Sequence, residues 1–180
     1  NTAVGAYSAD SNTTATGITA IGNRALCSNT TGANNTAVGM CAMRTSTTGG
    51  SNTVVGHCAL FDNTTGGSNT ALGTSSLENN TTASSNTAVG YNSLATNTTG
   101  CQNTAVGDQA LKNNTTGCFN GAVSFEALER NTTGNYNYAL GWNSLRTNTT
   151  GSLNIGIGGN SLYNNTGSSN TSIGDASGYN

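Results

Sequence analysis

The chain has 180 residues, of which 25 are glycine, none is proline and only 7% are charged, with a formal net charge of −2. Its five lysines and arginines are scattered, which excludes the polybasic patch that nucleic-acid binding needs. No apolar run reaches the roughly 20 residues of a membrane-spanning helix. The chain also has few large apolar residues, which is typical of a disordered protein. A folded structure is expected only if a sequence repeat places these residues on top of one another.

A strict repeat runs through the whole sequence. The glycine of the motif NTAVG, or its equivalent, recurs at intervals of 17 residues nine times, and the last interval is 16 residues. We call this residue position 0 and number the rest of each coil relative to it. The position-0 residues are Gly5, Gly22, Gly39, Gly56, Gly73, Gly90, Gly107, Ser124, Gly141, Gly158 and Gly174. We therefore predict one domain over residues 1–180, with about ten to eleven coils and no linker.

Two aliphatic columns predict the fold. An aliphatic residue stands at position −1 from Val4 to Ile173, and leucine or methionine stands at position +4 from Leu26 to Leu162. Two large aliphatics per coil cannot form the apolar stripe of a helix, and Gly, Asn and Thr disfavour helices. We predict an all-β parallel β-solenoid in which both columns are buried in stacks, about 4.8 Å per coil. The glycines of NTAVG and NTTG should mark corners that need positive φ or close approach.

An Asn-x-Thr pattern, the acceptor for N-glycosylation in secreted proteins, recurs ten residues before position 0. The candidate glycosylation sites are Asn12, Asn29, Asn63, Asn80, Asn97, Asn114, Asn131, Asn148 and Asn164. The alternative is a structural ladder, because Asn and Thr favour turns and stack along solenoids. Ser46 replaces the asparagine in one coil while both threonines remain, and glycans about 4.8 Å apart would crowd one another.

A second asparagine column stands at position −4, where most members lack the sequon. Its members are Asn1, Asn35, Asn52, Asn69, Asn86, Asn103, Asn120, Asn137, Asn154 and Asn170. We predict that this column is an internal amide ladder at a corner of the coil.

Four of the five cysteines occur as pairs at equivalent positions of consecutive coils. Equivalent residues should have Cα atoms about 4.8 Å apart, inside the range for disulfides. We predict two disulfides along the rod, Cys41–Cys58 and Cys101–Cys118, and hence an oxidising, extracellular setting. The alternative is free thiols at small surface positions. Cys27 has no partner at its position and is expected to be free or intermolecular.

The recurring NTAVG, followed by Ala-Leu or Ser-Leu and by NTTG, resembles the head repeats of trimeric autotransporter adhesins and related repeats of phage-type tail-fibre proteins. The resemblance covers the whole chain, as at Asn35–Gly39, Asn69–Gly73 and Asn103–Gly107. It implies a β-roll that assembles as a trimer, serves in attachment, and lies at a cell or virion surface. The chain starts in mid-repeat without Met and has no polar cap, so we expect a mature product or internal piece whose coils also stack head to tail.

We therefore predict a structural subunit of an extracellular fibre. Its partner should be other copies of itself, in a filament or a trimer. We further expect adhesion to surface glycans or a host surface, and glycosylation of the chain. An ice- or carbohydrate-binding solenoid is the alternative, because a regular threonine row precedes the strand alanines. We expect no enzyme, cofactor or metal site. The acids lie mostly at turn positions, His57 has no evident partner, and no glycine-rich loop carries the lysine of a phosphate site.

Overall fold

A computed structural model describes residues 1–179 as a parallel β-solenoid built from one sheet. Its eleven strands are β1 Thr2–Val4, β2 Thr19–Ile21, β3 Thr36–Val38, β4 Thr53–Val55, β5 Thr70–Leu72, β6 Thr87–Val89, β7 Thr104–Val106, β8 Gly121–Val123, β9 Tyr138–Leu140, β10 Ile155–Ile157 and β11 Thr171–Ile173. The predicted fold class is confirmed. Residues 1–179 contain no helix long and apolar enough to cross a membrane.

The strands pair in chain order, each with the equivalent strand of the next coil. Thr36 aligns with Thr53, and Val38 aligns with Val55, and the same register holds from β1 to β11 even across the shortened last coil. Because every backbone group of a strand can bond only to the coil before or after it, the 17-residue spacing becomes a vertical stack of identical positions.

The interior holds the leucine column together with small residues. Leu60, Leu94 and the other leucines at position +4 are buried, as predicted. From β2 to β10, the middle residue of each strand, such as Ala88, and the alanine or serine at position +3 of the same coil are buried beside them. A coil this short leaves little interior volume, so one leucine per coil fills it and its neighbours must be small.

Glycines at two corners of most coils are required for different reasons. Gly73 has a φ of 137°, and a Cβ there would lie 2.5 Å from the carbonyl oxygen of Gly90 in the next coil. The NTTG glycines have ordinary φ but approach the next coil so closely that a Cβ would clash with its backbone, as at Gly66 against Ala83. Both kinds of glycine therefore meet the predicted requirement of positive φ or close approach.

Candidate functional site: the uncharged outer face of the sheet

The outer face of the sheet consists of the first and third residues of every strand, at positions −3 and −1. Side chains alternate along a strand, so when Ala88 points inward with no exposure, Thr87 and Val89 on either side of it point outward. The same pattern holds for β2 through β10. This face is therefore a two-column surface of threonine and aliphatic side chains running the length of the rod.

The prediction that the aliphatic column at position −1 is buried is wrong. Val55 is 42% exposed, Leu140 51% and Ile157 37%. Val4 and Ile173 at the two ends are more exposed than these, and every other member is partly exposed rather than enclosed. The physical reason is the alternation within a three-residue strand, because only the middle side chain can enter the narrow interior and alanine fits there. A long row of branched aliphatic side chains is thus left on the surface of this chain.

No charged residue lies on the outer face. The twelve Asp, Glu, Lys and Arg residues occupy positions +1 to +6 only. They are Asp10, Arg24, Arg44, Asp62, Glu78, Asp108, Lys112, Glu126, Glu129, Arg130, Arg146 and Asp175. The rod therefore has one charged side, and the outer face is free of the groups that are costly to bury.

Two of the acids are paired with an arginine on the charged side. Arg146 Nε lies 2.8 Å from Glu126 Oε2 and 2.9 Å from Glu129 Oε2, and all three side chains are largely covered. This arrangement links two consecutive coils through one guanidinium that both carboxylates share. Among residues 1–179, no three His, Cys, Asp or Glu side chains group as a metal site would require.

The outer face changes its character at β8 to β10. The threonine row is unbroken from Thr2 to Thr104 and then becomes Gly121, Tyr138 and Ile155. The Tyr138 ring lies against Gly121, since a Cβ on that glycine would be 3.0 Å from Tyr138 Cδ1. An apolar groove of about 260 Å³ opens here, lined by Gly121, Val123, Tyr138, Ala139, Leu140, Ile155 and Ile157. The face thus has a uniform part and one distinctive part.

The asparagines of the Asn-x-Thr column lie inside the solenoid. The amide nitrogen of Asn97 donates to Asn80 Oδ1 and to the carbonyl of Gly100, both at 2.9 Å, and its Oδ1 accepts from Asn114. Seven of the nine candidates are fully buried, and glycosylation at them is a wrong prediction because the acceptor nitrogen is enclosed and hydrogen-bonded. They are Asn29, Asn63, Asn80, Asn97, Asn114, Asn131 and Asn148.

Two glycosylation candidates remain reachable. Asn12 in the first coil is half-buried and Asn164 is exposed, so glycosylation at these two stays a prediction. In the last coil, Asn165 rather than Asn164 continues the ladder, donating to Asn148 Oδ1 at 3.2 Å. The residue that is missing from the shortened coil therefore lies after the ladder asparagine, Asn165. Asn164 comes just before Asn165 and occupies the surface position that Thr147 occupies in the preceding coil.

Threonine forms an external ladder beside the asparagines. The middle threonine of NTT donates its hydroxyl to the carbonyl of the equivalent threonine in the next coil, as from Thr81 to Thr98 and from Thr98 to Thr115, each at 3.0 Å. The Asn-x-Thr pattern is defined by its third residue, such as Thr99, whereas the hydroxyl hydrogen bonds come from the middle one. The alternative of a structural Asn and Thr ladder is confirmed.

The second asparagine column is the internal amide ladder that was predicted. Asn86 Oδ1 accepts from the backbone nitrogen of Asn103 at 2.9 Å, and its amide nitrogen donates to the carbonyl of Gly100 at 2.9 Å. Equivalent bonds join the column from Asn35 to Asn170. Most coils thus bury two amides that satisfy corner backbone groups.

We expect Asn97→Ala to lower the free energy of unfolding by roughly 1–3 kcal/mol, because it leaves the partners on Asn80, Gly100 and Asn114 unpaired in the interior. Chemical denaturation followed by far-UV circular dichroism measures the effect. Asn164→Ala is the matched control, since the same substitution on the exposed sequon removes no ladder bond. Equal stabilities of the two variants would contradict the role of the ladder.

All five cysteines are free thiols, so the predicted disulfides Cys41–Cys58 and Cys101–Cys118 are wrong. The alignment behind the prediction holds, since the sulfurs of Cys101 and Cys118 lie 3.1 Å apart, but a bonded pair would be about 2.05 Å apart. The hydrogen bond with Cys118, followed by partial burial, raises the pKa of the Cys101 thiol. Burial, and then the neighbouring Cys41, raise the pKa of Cys58.

We expect five thiols per chain when the protein is purified without reductant and titrated with a thiol reagent under denaturing conditions. The raised pKa values of Cys58 and Cys101 keep both groups protonated near neutral pH, and the thiolate is the species that reacts. In the folded chain their alkylation should therefore be slower than that of an unstructured cysteine peptide, and should accelerate as the pH rises. A count of three or one would show that disulfides form after all.

Comparison with known protein families, with curated proteins and with solved structures finds no significant match for this chain. The likeness to trimeric autotransporter heads and tail-fibre repeats accordingly rests on the repeat motif alone.

Proposed function

We propose that the chain is a structural subunit of an extracellular fibre and that copies associate laterally through the outer face of the sheet. The observation that carries the proposal is the aliphatic column at position −1, exposed on a side of the rod that has no charge. A monomer would leave this column in water over its full length, and large contiguous apolar patches mark interaction surfaces.

The dimensions of the face support side-by-side packing of rods along their length. Eleven strands at about 4.8 Å and three residues at about 3.3 Å each make a strip on the order of 50 Å long and 10 Å wide. A strip of this shape is covered completely only when the partner rod runs along it. Each half-exposed valine or isoleucine contributes part of the roughly 1.5–3 kcal/mol that full burial would provide, repeated in every coil.

A trimer is the arrangement that the repeat motif favours, since the similar heads of trimeric autotransporter adhesins imply three chains. Three flat faces can meet around one axis, and cyclic symmetry places identical coils at the same height. Stacking of coils head to tail would extend such an assembly into a filament. The surface location rests on this resemblance, because the cysteines are free and carry no argument for an oxidising compartment.

Adhesion is the second part of the proposal. In an assembly closed over the outer face, residues past the corner at position 0 stay accessible. They include exposed aromatic rings at position +1, namely Tyr91, Phe125 and Trp142. Aromatic side chains are common anchors for partner surfaces, including sugars and proteins. Glycans at Asn12 and Asn164, detected by intact mass of the natively produced protein, would lie outside the interface.

We expect the wild-type chain to form a defined oligomer in light scattering coupled to size exclusion, and Val55→Lys with Val106→Lys to abolish it. An unpaired charge in the interface costs several kcal/mol, so association should weaken by about a hundredfold or more. The control is Asn23→Lys with Thr74→Lys, which adds the same charge at exposed position +1. A wild-type chain that stays monomeric at high concentration would overturn the proposal.

An ice- or carbohydrate-binding solenoid is the second candidate, favoured by the threonine row from Thr2 to Thr104 on the same outer face. Its hydroxyls repeat at the coil spacing beside the aliphatic column, which makes a flat and regular amphipathic surface. This function needs the face to be free, so it competes with self-association. Thermal hysteresis in a monomeric sample would support it, and its absence would remove the ice-binding form.

A further inference from the structure

The outer face is nearly periodic over its first seven strands. From β1 to β7, every strand presents threonine at position −3 and an aliphatic residue at position −1. Sliding one copy along another by one coil, about 4.8 Å, would restore almost the same contacts. Such a periodic surface can hold two copies side by side. It only weakly determines how far one copy is shifted along the rod axis relative to the other.

Strands β8 to β10 break the period with side chains of very different size. Position −3 carries no side chain at Gly121, an aromatic ring that is 53% exposed at Tyr138, and a branched aliphatic at Ile155. The ring packs over the glycine, and the groove of about 260 Å³ lies beside it. A side chain at 121 would press on this ring, so the ring lies over the strand most closely with glycine there.

The groove suits a side chain better than a separate ligand. Its volume is below the roughly 300–1,000 Å³ of typical small-molecule pockets, and its lining contains no charged group. In a cyclic assembly of parallel rods, the exposed aromatic ring at the same height is the Tyr138 of the neighbouring copy. An offset of two coils would place that ring against the threonine of β7 or β11, which does not line the groove.

We propose that Gly121, Tyr138 and Ile155 fix the axial register between copies of this chain, with Tyr138 of each copy packing at the groove of its neighbour. This inference rests on the proposed lateral association and adds to it. The uniform strands supply most of the contact area, and the three aperiodic strands select one offset among many similar ones. Single distinctive positions in otherwise regular interfaces can specify register in this way.

The test compares the wild-type chain with a variant whose threonine row is restored by Gly121→Thr, Tyr138→Thr and Ile155→Thr. Both carry the photoreactive residue p-benzoylphenylalanine in place of Thr53, far from the altered strands. After irradiation of the oligomer, fragmentation mass spectrometry locates the crosslinked coil of the partner. A control with Phe119→Ser and Tyr136→Ser removes a stacked aromatic pair in the same coils but at a different position of the coil.

We expect the wild-type chain and the control to crosslink to β3, β4 or β5 of the partner only, whereas the restored variant still associates but crosslinks across many strands. A restored variant that keeps the single location, or a wild-type oligomer with scattered crosslinks, would overturn the register proposal alone. A monomeric wild-type chain, or an oligomer with no crosslink from position 53, would instead overturn lateral association through the outer face. The two failures are therefore distinguishable.

Discussion

Gly73→Ala should destabilise the rod by more than about 3 kcal/mol. The alanine Cβ would lie 2.5 Å from the carbonyl oxygen of Gly90, at a φ of 137° that side chains rarely adopt. Backbone strain of this kind alone costs about 1–3 kcal/mol, and the clash with an immovable backbone adds to it. Thermal and urea unfolding followed by circular dichroism would measure the loss.

Gly174→Ala is the matched control for the clash. Gly174 has a similar φ of 127°, but a Cβ there would be 3.7 Å from its nearest neighbour, Ser177. The difference between the two variants therefore separates the contact from the strain, and equal losses would contradict the close approach of coils. Ser124 carries a side chain at the equivalent position with a φ of 119°, and the Gly141 nitrogen beside it still donates to the Val123 carbonyl at 3.1 Å.

Leu94→Ala should cost about 2–5 kcal/mol, because it opens a cavity in the middle of the buried leucine stack. Leu94 has no exposure, whereas Val89 on the outer face of the same coil is only partly covered. Val89→Ala in a monomeric sample should therefore cost less than about 1 kcal/mol. Unfolding curves at several protein concentrations compare the two.

The dependence of stability on protein concentration further distinguishes the aliphatic column at position −1 from the leucine column at position +4. If copies associate through the outer face, the cost of Val89→Ala should grow as the protein concentration rises, because association adds to the stability of the wild type. The cost of Leu94→Ala should be the same at every concentration. A large cost for Val89→Ala in the monomer would mean that the position −1 column belongs to the interior.

Much of the architecture follows from the spacing of residues. A constant 17-residue interval with a leucine in each coil requires stacked coils, and asparagine at position −4 in nearly every coil requires an environment where amides pair with one another. The size of side chains could also have located the outer face, since position −2 is small in almost every coil while position −3 ranges from Gly121 to Tyr138. That signal was available and indicates which side faces a closed interior.

By itself, then, the sequence determined the repeat, the parallel stacking, the leucine core and one amide ladder. Only the tertiary structure decided that the aliphatic column lies outside, that the Asn-x-Thr asparagines lie inside, that Asn165 continues their ladder, and that aligned thiols stay unbonded. The physical reason is that a period fixes the distance between residues along the chain. The direction of each side chain depends on how the corners turn the backbone and on how little volume a 17-residue coil encloses.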